Sequence, residues 1–418
     1  PLRASSIDIS PNATWSQNGI TVAGGNGRGS ETNQLDRPYG LYVDDDQTIY
    51  VADCWNHRIV EWKSGATNGK VVAGGNGEGN GAHQLKWPRD VIIDKESDSL
   101  IISDYENRRV VRWPRRNGTR GETIISNISC CGLTMDDNGY LYAVDVGKHE
   151  VRRYKMGDTK GTVVAGGNGK GNRLDQLSYP RYVFVDREHS VYVSDYENHR
   201  VMKWEEGAKQ GIVVAGGQEK GNSLTQLNEP RGVVVDQLGT VYVADLWNHR
   251  IMRWPKGATQ GNIIVGGNGK GAQSKQLNEP IGLSFDRYGN LYVAEWGNNR
   301  VGTRLLLIRE NYDIILYDAQ QNRSLTKVRP KLDGKDCWGK LTFIYLQDQI
   351  PMLLGDLLET NLRAKLILPP CPRSQQELKQ TRRVLNVREK NPIDGHPLNY
   401  DEYNPFNICA ASYVPHLS

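Results

Sequence analysis

Short apolar runs separated by polar turns recur along most of this chain. One unit begins at Pro230 with a largely apolar run to Asp236, and a second run ends at Asp245. A third and a fourth run follow at 250–254 and 262–265, each after a turn rich in Gly, Asn or Lys. β-branched runs of this length between such turns are typical of strands joined as hairpins. Each unit is therefore predicted to be a four-stranded antiparallel meander.

An acidic residue closes the second run of every unit and defines the period of the repeat. These residues are Asp53, Asp104, Asp145, Asp195, Asp245 and Glu295, spaced by 51, 41, 50, 50 and 50 residues. Meanders at such a period pack radially as the blades of a β-propeller. The opening run at 19–23 has no unit of its own, and the sixth unit stops after its third run near Val301. We predict an all-β, six-bladed propeller over 1–302, closed by the N-terminal strand.

The turn after the acidic residue is interpreted as structural. A short Asp side chain accepts hydrogen bonds from backbone N–H groups in a turn. The arginine that follows, Arg250 in the fifth unit, is expected to reach the carboxylate of a neighbouring blade. The third unit departs from the pattern, because its spacing is short and it has Lys148-His149-Glu150 where three other units have Asn-His-Arg.

The residue after the first proline of each unit precedes the innermost strand and is expected to face the mouth of the central channel. Across the six units these residues are Tyr39, Arg89, Cys131, Arg181, Arg231 and Ile281, with Cys130 at the proline position of the third unit. Three arginines around one opening would bind an anionic ligand or an acidic peptide. The alternative is a solvated basic rim without a ligand.

Two further sets of residues recur with the period. His57, His149, His199 and His249 share one position on different blades, so we expect them to lie too far apart to hold one metal ion. An aromatic residue ends each of the first five third runs, and we interpret these residues as an exposed ladder that packs blade against blade: Trp62, Trp113, Tyr154, Trp204 and Trp254. Base stacking in an RNA-binding protein is the alternative role for the ladder.

The triplets at 56–58, 198–200 and 248–250, with their period, resemble the NHL repeat. The resemblance extends over six copies and implies a six-bladed propeller. Among similar proteins, amidating lyases bind zinc at the channel through histidines just after the inner-strand proline, where this chain has none. We therefore predict no catalytic residue, no metal and no cofactor, and expect that the chain is not an enzyme.

Composition narrows the choice of partner and compartment. A formal charge of +4 over 418 residues is too small to argue for nucleic acid, and no apolar stretch is long enough for a membrane span. The six cysteines lack metal-ligand spacing, and their use favours a cytoplasmic location. Secretion is the alternative, because the first residue is not Met and sequons occur at Asn12, Asn117, Asn127 and Asn322.

The period ends near residue 302, and 303–418 is predicted to be a separate, poorly packed tail of mixed helix and coil, partly disordered. The runs at 304–308 and 314–318 are expected to be strands, and a capping box at 374–377 predicts a helix over 374–390. Two fragments of the tail, at 380–385 and 404–413, resemble the coatomer alpha subunit. That resemblance implies a role in vesicle-mediated protein transport and contact with another coat subunit.

The leading hypothesis is a non-enzymatic binding scaffold that holds a protein, peptide or other partner at the channel mouth. The alternatives are a coatomer-related structural component, a metal-dependent lyase or lactonase, and an RNA-binding or ubiquitin-ligase-associated NHL module. Because one fold carries many functions, the residues of the site have to decide between them.

Overall fold

The computed structural model describes residues 9–10 and 13–306, together with the backbone of 314–318, 323–328 and 364–365. Contacts divide the chain into two compact units, Pro1–Ile308 and Arg309–Ser418. In the first unit there are six four-stranded antiparallel sheets: five are meanders of consecutive strands, and the sixth combines three consecutive strands with the N-terminal strand. Their first strands contact one another in ring order, the sixth returning to the first. The predicted six-bladed propeller is confirmed.

Each of the first three blades consists of four strands that are consecutive in the chain. Blade one comprises β2 (Pro38–Val43), β3 (Ile49–Asp53), β4 (Arg58–Trp62) and β5 (Lys70–Gly74). Blade two comprises β6 (Pro88–Asp94), β7 (Ser99–Asp104), β8 (Arg109–Pro114) and β9 (Glu122–Ser126). Blade three comprises β10 (Cys130–Met135), β11 (Leu141–Asp145), β12 (Glu150–Tyr154) and β13 (Thr162–Gly166).

The last three blades include the one that closes the ring. Blade four comprises β14 (Pro180–Val185), β15 (Val191–Asp195), β16 (Arg200–Trp204) and β17 (Ile212–Gly216). Blade five comprises β18 (Pro230–Val235), β19 (Val241–Asp245), β20 (Arg250–Trp254) and β21 (Asn262–Gly266). Blade six comprises β22 (Pro280–Phe285), β23 (Leu291–Glu295), β24 (Arg300–Arg304) and the N-terminal β1 (Ile20–Gly24). The antiparallel pairing of β1 with β24 confirms closure by the first strand.

Short 3-10 turns follow the second strand in three blades. They span Cys54–Asn56, Tyr196–Asn198 and Leu246–Asn248, and each ends at a histidine in the left-handed region. His57, for example, has φ 53°, which ends the helical turn, so the chain passes directly into β4. These turns place the residues after the repeat's aspartate at the same end of the blade as the start of the inner strand, because Pro38 pairs with Asp53.

The aromatic residues at the ends of the third strands are buried, so the expectation that they form an exposed ladder is wrong. Their exposed fractions are 1% for the four tryptophans and 5% for Tyr154. Each ring packs on the glycine before the fourth strand, as Trp254 does on Gly261, where an added Cβ would lie 2.7 Å from the ring. These contacts lie within one blade, whereas the expected role is packing of one blade against the next, which they do not test.

Blade six has Arg304 at this aromatic position. Its side chain is 1% exposed, lies against Gly19 and donates from Nη2 to the carbonyl of Ser274 at 3.0 Å. Burial lowers the pKa of Arg304. The closing blade therefore keeps the shape of the aromatic contact but buries a cation in its place.

The aspartate, asparagine and arginine of the repeat form a buried frame within one blade. In blade five, Asp245 accepts hydrogen bonds from Arg250 Nε at 2.7 Å, Asn248 Nδ2 at 2.8 Å and the backbone N–H of Asn228 at 2.7 Å. Arg250 also donates to carbonyls of the loop that enters the blade, those of Asn222, Ser223 and Gln226. The arginine thus pairs with the carboxylate of its own blade, and the expectation of a neighbouring carboxylate is wrong.

The same frame recurs in most of the ring. Equivalent ion pairs join Arg58 to Asp53, Arg109 to Asp104, Arg200 to Asp195 and Arg300 to Glu295. Blade three differs, because Asp145 faces the exposed Lys148 at 3.6 Å and Glu150 pairs with Arg152.

A recurring hydrogen bond between neighbouring blades comes from the histidine instead. His57 Nδ1 accepts a hydrogen bond from the backbone N–H of Trp87 in the next blade at 3.2 Å. His149, His199 and His249 make the same contact with Tyr179, Glu229 and Glu279, at 3.1, 3.2 and 3.1 Å. In blade six Asn299 takes this position, and its Oδ1 accepts from Arg37 N–H at 2.9 Å, across the closure of the ring.

In the second unit, three strands form one antiparallel sheet. They are β25 (Ile314–Asp318), β26 (Arg323–Val328) and β27 (Ala364–Lys365), in the order β26-β25-β27. The predicted strand at 314–318 is confirmed, whereas the predicted run at 304–308 contributes Arg304 to β24 and Leu306 to a bridge with Trp15. The predicted helix over 374–390 lies outside the described residues.

Candidate functional site at the channel mouth

The inner strands bring most of the predicted channel residues together. Tyr39, Cys131 and Ile281 are buried, with exposed fractions of 6, 0 and 3%, and the three arginines at the same position are half-buried. Each lies at or next to the start of an inner strand. Because the inner strands of neighbouring blades contact one another around the channel, residues at this repeat position lie at the same end of the channel.

Within this group, Tyr39 contacts several other blades. Its Oη accepts a hydrogen bond from Arg231 Nη1 at 2.6 Å and lies 3.5 Å from Cys131 Sγ. Its ring stacks on Tyr182, with 6.1 Å between centroids and 8° between planes. One side chain of blade one therefore contacts blades three, four and five across the channel.

The guanidinium groups of the three channel arginines lie against the faces of tyrosine rings. Arg89 Cζ lies 3.5 Å from the ring centroid of Tyr105, and Arg181 and Arg231 lie 4.8 and 4.3 Å from that of Tyr196. Cation–π contacts of this kind fix the planes of the groups. We call Arg89, Arg181 and Arg231, with Tyr39 and Cys131, the arginine cup.

The cations of the arginine cup have no acidic partner within the described part of the chain. The ion pairs described in the propeller involve other arginines, among them those of the buried frame. The Nε atoms of Arg89, Arg181 and Arg231 are also buried without a hydrogen-bond partner. A buried donor without an acceptor destabilises the fold by about 1–3 kcal/mol, and the Nε atoms of Arg37, Arg253 and Arg304 elsewhere in the described propeller are in the same state.

Ile281 belongs to the predicted set but not to the cup, since its buried side chain is purely apolar and offers no hydrogen-bonding group. Conversely, Tyr105 and Tyr196 were not among the predicted site residues. Both directly follow the aspartate of the repeat, at a position that differs from blade to blade. This variation at an otherwise regular position is the signal by which the sequence could have indicated them.

Indole rings extend the surface beyond the cup. Trp55 and Trp87 stack with 6.2 Å between centroids and 9° between planes, and Arg28 lies 5.0 Å from the Trp55 ring. Trp55 is 45% and Trp247 is 44% exposed. Trp55 and Trp247 occupy the same repeat position, in the turns next to the inner-strand starts, so planar apolar contacts are available around the cationic centre.

A metal site requires several acidic, thiol or imidazole side chains to converge on one point. Among the residues that the structure describes, no three His, Cys, Asp or Glu side chains converge to hold an ion. The four repeated histidines have pKa values lowered chiefly by burial, and each makes its contact with the next blade. Within the same residues, no helix has the length and hydropathy needed to cross a membrane.

Comparisons with family profiles agree with the repeat. The profile described as NHL repeat matches 35–62 and 227–253, and the profile for the C-terminus of the coatomer (COPI) alpha subunit matches 359–417. Coatomer subunit alpha-2 of Arabidopsis thaliana is 38% identical over 52 residues, which are 12% of this chain and 4% of that protein. The chain therefore matches only a small part of that curated relative.

Solved structures agree with the fold. A protein of unknown function from Bacteroides thetaiotaomicron has a TM-score of 0.57 at 16% identity, over 70% of this chain and 76% of that chain. An auxiliary nutrient binding protein of the same organism has a TM-score of 0.52 at 15% identity, over 73% and 76%. A gluconolactonase of Xanthomonas campestris has a TM-score of 0.50 at 12% identity, over 73% and 97%. At these identities the likeness shows architecture: the chain is a six-bladed β-propeller, and two of its segments match the NHL repeat.

Proposed function

We propose that this protein is a binding scaffold whose arginine cup holds an acidic group of a peptide or protein partner. The observation that supports this most strongly is the grouping of three half-buried guanidinium groups around Tyr39 and Cys131, with no ion pair to an acidic side chain in the described part of the chain. Guanidinium groups pair with carboxylates through parallel hydrogen bonds, and desolvation strengthens such pairs.

The proposed role is non-enzymatic. The cup consists of cations, phenols and one thiol, and neither a histidine nor a carboxylate hydrogen-bonds to any of its five side chains in the described part of the chain. The indoles at Trp55, Trp87 and Trp247 would add apolar contact around the acidic group, as aromatic residues do in protein interfaces. A cytoplasmic location is part of this proposal, because Cys54, Cys130 and Cys131 are free thiols.

The test is direct binding of a fluorescent glutamate-rich peptide to the whole chain, with a glutamine-rich peptide of equal length as its neutral counterpart. The variant Arg89→Gln/Arg181→Gln/Arg231→Gln should weaken binding by at least about 100-fold, because each charge-assisted hydrogen bond contributes about 1.5–3 kcal/mol. Thermal melting checks that this variant is folded.

A matched control removes three exposed cations at the outer edge, Lys70→Gln/Lys160→Gln/Lys209→Gln. It changes the net charge equally, so a similar loss would mean that binding depends on overall charge. Undiminished capture of the acidic peptide by the arginine variant would overturn the proposal. Binding of single-stranded RNA in preference to the peptide would favour the nucleic-acid alternative.

The tail supports a second candidate function, contact with a coat subunit in vesicle transport. Its support is the coatomer alpha match over 359–417, in a part of the chain that is separate from the propeller unit. Co-purification of coat subunits with the whole chain, and their loss when 359–417 is deleted, would support it. Retention of those subunits by the deleted chain would count against it.

A further inference from the structure

Cys131 lies where the hydrogen-bond donors of the arginine cup converge. Its Sγ is 3.8 Å from Arg89 Nη1 and 3.5 Å from Tyr39 Oη, and its side chain is fully buried. Because the Tyr39 oxygen already accepts from Arg231 at 2.6 Å, the phenolic hydrogen can be donated towards the sulfur. A thiolate at this point would therefore receive a hydrogen bond and face cationic groups.

The other buried thiols of the propeller have a different environment. Burial raises the pKa of Cys54 to about 12, and burial also raises the pKa of Cys130 well above that of an ordinary thiol. Burial opposes ionisation of Cys131 too, but the charges of Arg89, Arg181 and Arg231 outweigh it and lower the pKa of this thiol. Two adjacent cysteines thus differ because only one of them faces the cup.

We infer that Cys131, as a thiolate, is an internal counter-ion of the arginine cup and competes with the bound anion for the same guanidinium groups. This inference rests on the proposed function, since it describes how that site is regulated. Linkage makes the competition reciprocal: a bound anion favours the neutral thiol, and deprotonation of the thiol weakens anion binding by the same factor. The cup should bind anions more tightly as the pH falls through the range in which Cys131 titrates.

The competition also depends on the ionisable groups around the thiol. The arginines stay protonated at any pH at which the protein is folded. Burial raises the pKa of Tyr39, so the phenol keeps its proton. The carboxylate of Asp90, next to Arg89 in the chain, points to β10, where it accepts from the backbone N–H of Leu133 at 2.9 Å. Burial holds Cys54 and Cys130 neutral. Of the phenols that contact the guanidinium groups, Tyr105 and Tyr196, burial raises the pKa of Tyr196.

The experiment follows the ultraviolet absorbance of the thiolate while the whole chain is titrated, and subtracts the titration of Cys131→Ser. The remaining difference belongs to Cys131 and requires no reagent to reach the buried sulfur. The probes are sulfate, which keeps its charge over this range, and the acidic peptide of the binding test. Either bound probe should raise the midpoint by about one pH unit, which corresponds to about a tenfold weaker anion affinity for the thiolate form.

Two variants sharpen the result. Without any anion, Arg89→Gln/Arg181→Gln/Arg231→Gln should raise the midpoint, because the charges that favour the thiolate are gone. Cys131→Ser should bind sulfate with an affinity that no longer falls with rising pH. A midpoint that stays in place while either probe is shown to bind would overturn the inference and leave the binding function intact. Failure of both probes to bind the unchanged chain would instead remove the binding function, and the competition with it.

Discussion

Blades three and five have the same strands but different frames. In blade five, Arg250 links Asp245 to three carbonyls of the long loop that enters the blade. In blade three the entering loop is only 127–129, and Glu150 stands where the arginine would be. Where the loop is short, the arginine that would hold it is absent too.

The four strands are common to both blades, whereas the arginine of the frame is not. The arginine of the repeat serves the inter-blade loop, so its loss in blade three accompanies a change in the same region of the chain. Blade three nevertheless pairs all four strands and places Cys131 in the arginine cup. Blade three thus keeps its four strands and its channel residue without the arginine of the frame. The following predictions test how far the two blades differ.

The largest effect should come from opening the ring on which both blades depend. Deleting 1–25 removes β1 from blade six and exposes an edge of β24. Because the loss of a whole strand removes several kcal/mol of stability, the melting temperature should fall by at least about 10 °C. Deleting 1–8 leaves β1 in place and is the control. Equal melting of the two deleted chains would mean that closure contributes little.

Removing the frame carboxylate should distinguish the two blades. Asp245→Ala leaves the buried Arg250 unpaired and should lower the free energy of unfolding by about 3–5 kcal/mol. Asp145→Ala loses hydrogen bonds from the N–H groups of Gly147 and Lys148 and should lower it by about 1–2 kcal/mol.

Chemical denaturation measures both losses, and Asp45→Ala on the surface should change the free energy by less than about 0.5 kcal/mol. Equal losses in blades three and five would contradict the view that the arginine frame is what sets them apart.

The histidine contact is the feature that blades three and five share. A neutral Nδ1 is required to accept the N–H of the next blade, and burial lowers the pKa of His149 and His249. Since the pKa is lower in the folded state, this contribution is present above about pH 6.5 and is lost as the pH falls through the folded pKa. The melting temperature should therefore fall on acidification.

Blade six supplies the matched substitution for this test, because Asn299 makes the equivalent contact with an oxygen that does not titrate. Changing His57, His149, His199 and His249 to Asn should keep the contact and reduce the acid sensitivity. Asparagine tolerates the left-handed backbone of these positions. Thermal melts between about pH 7 and pH 5 compare the two chains, and parallel curves would exclude the histidines as the cause.

The smallest effect is expected for the exposed cation of blade three. Lys148 Nζ lies 3.6 Å from Asp145 and is 53% exposed, so Lys148→Ala should change the free energy of unfolding by at most about 0.5 kcal/mol. A loss as large as that of Asp145→Ala would show that Lys148 has taken over the role of the frame arginine. Thermal or chemical denaturation is sufficient to measure it.

The amino-acid pattern alone determined the period, the blade count and the closing strand. These depend on local features, namely turn residues, alternating strands and an incomplete sixth unit, which the chain carries in consecutive positions. It also indicated the channel residues, since a repeat position has one place in every blade. It was wrong on the partner of the frame arginine and on exposure of the aromatic residues, because both depend on how blades pack.

Only the tertiary structure decided which channel residues form one site. Tyr39 and Arg231 are far apart in the chain, and no local pattern states that their side chains meet across the channel at 2.6 Å. The same holds for Tyr105 and Tyr196, whose rings support the guanidinium groups. Sequence periodicity assigns residues to equivalent positions on a ring, whereas side-chain length and direction across its centre decide which of them touch.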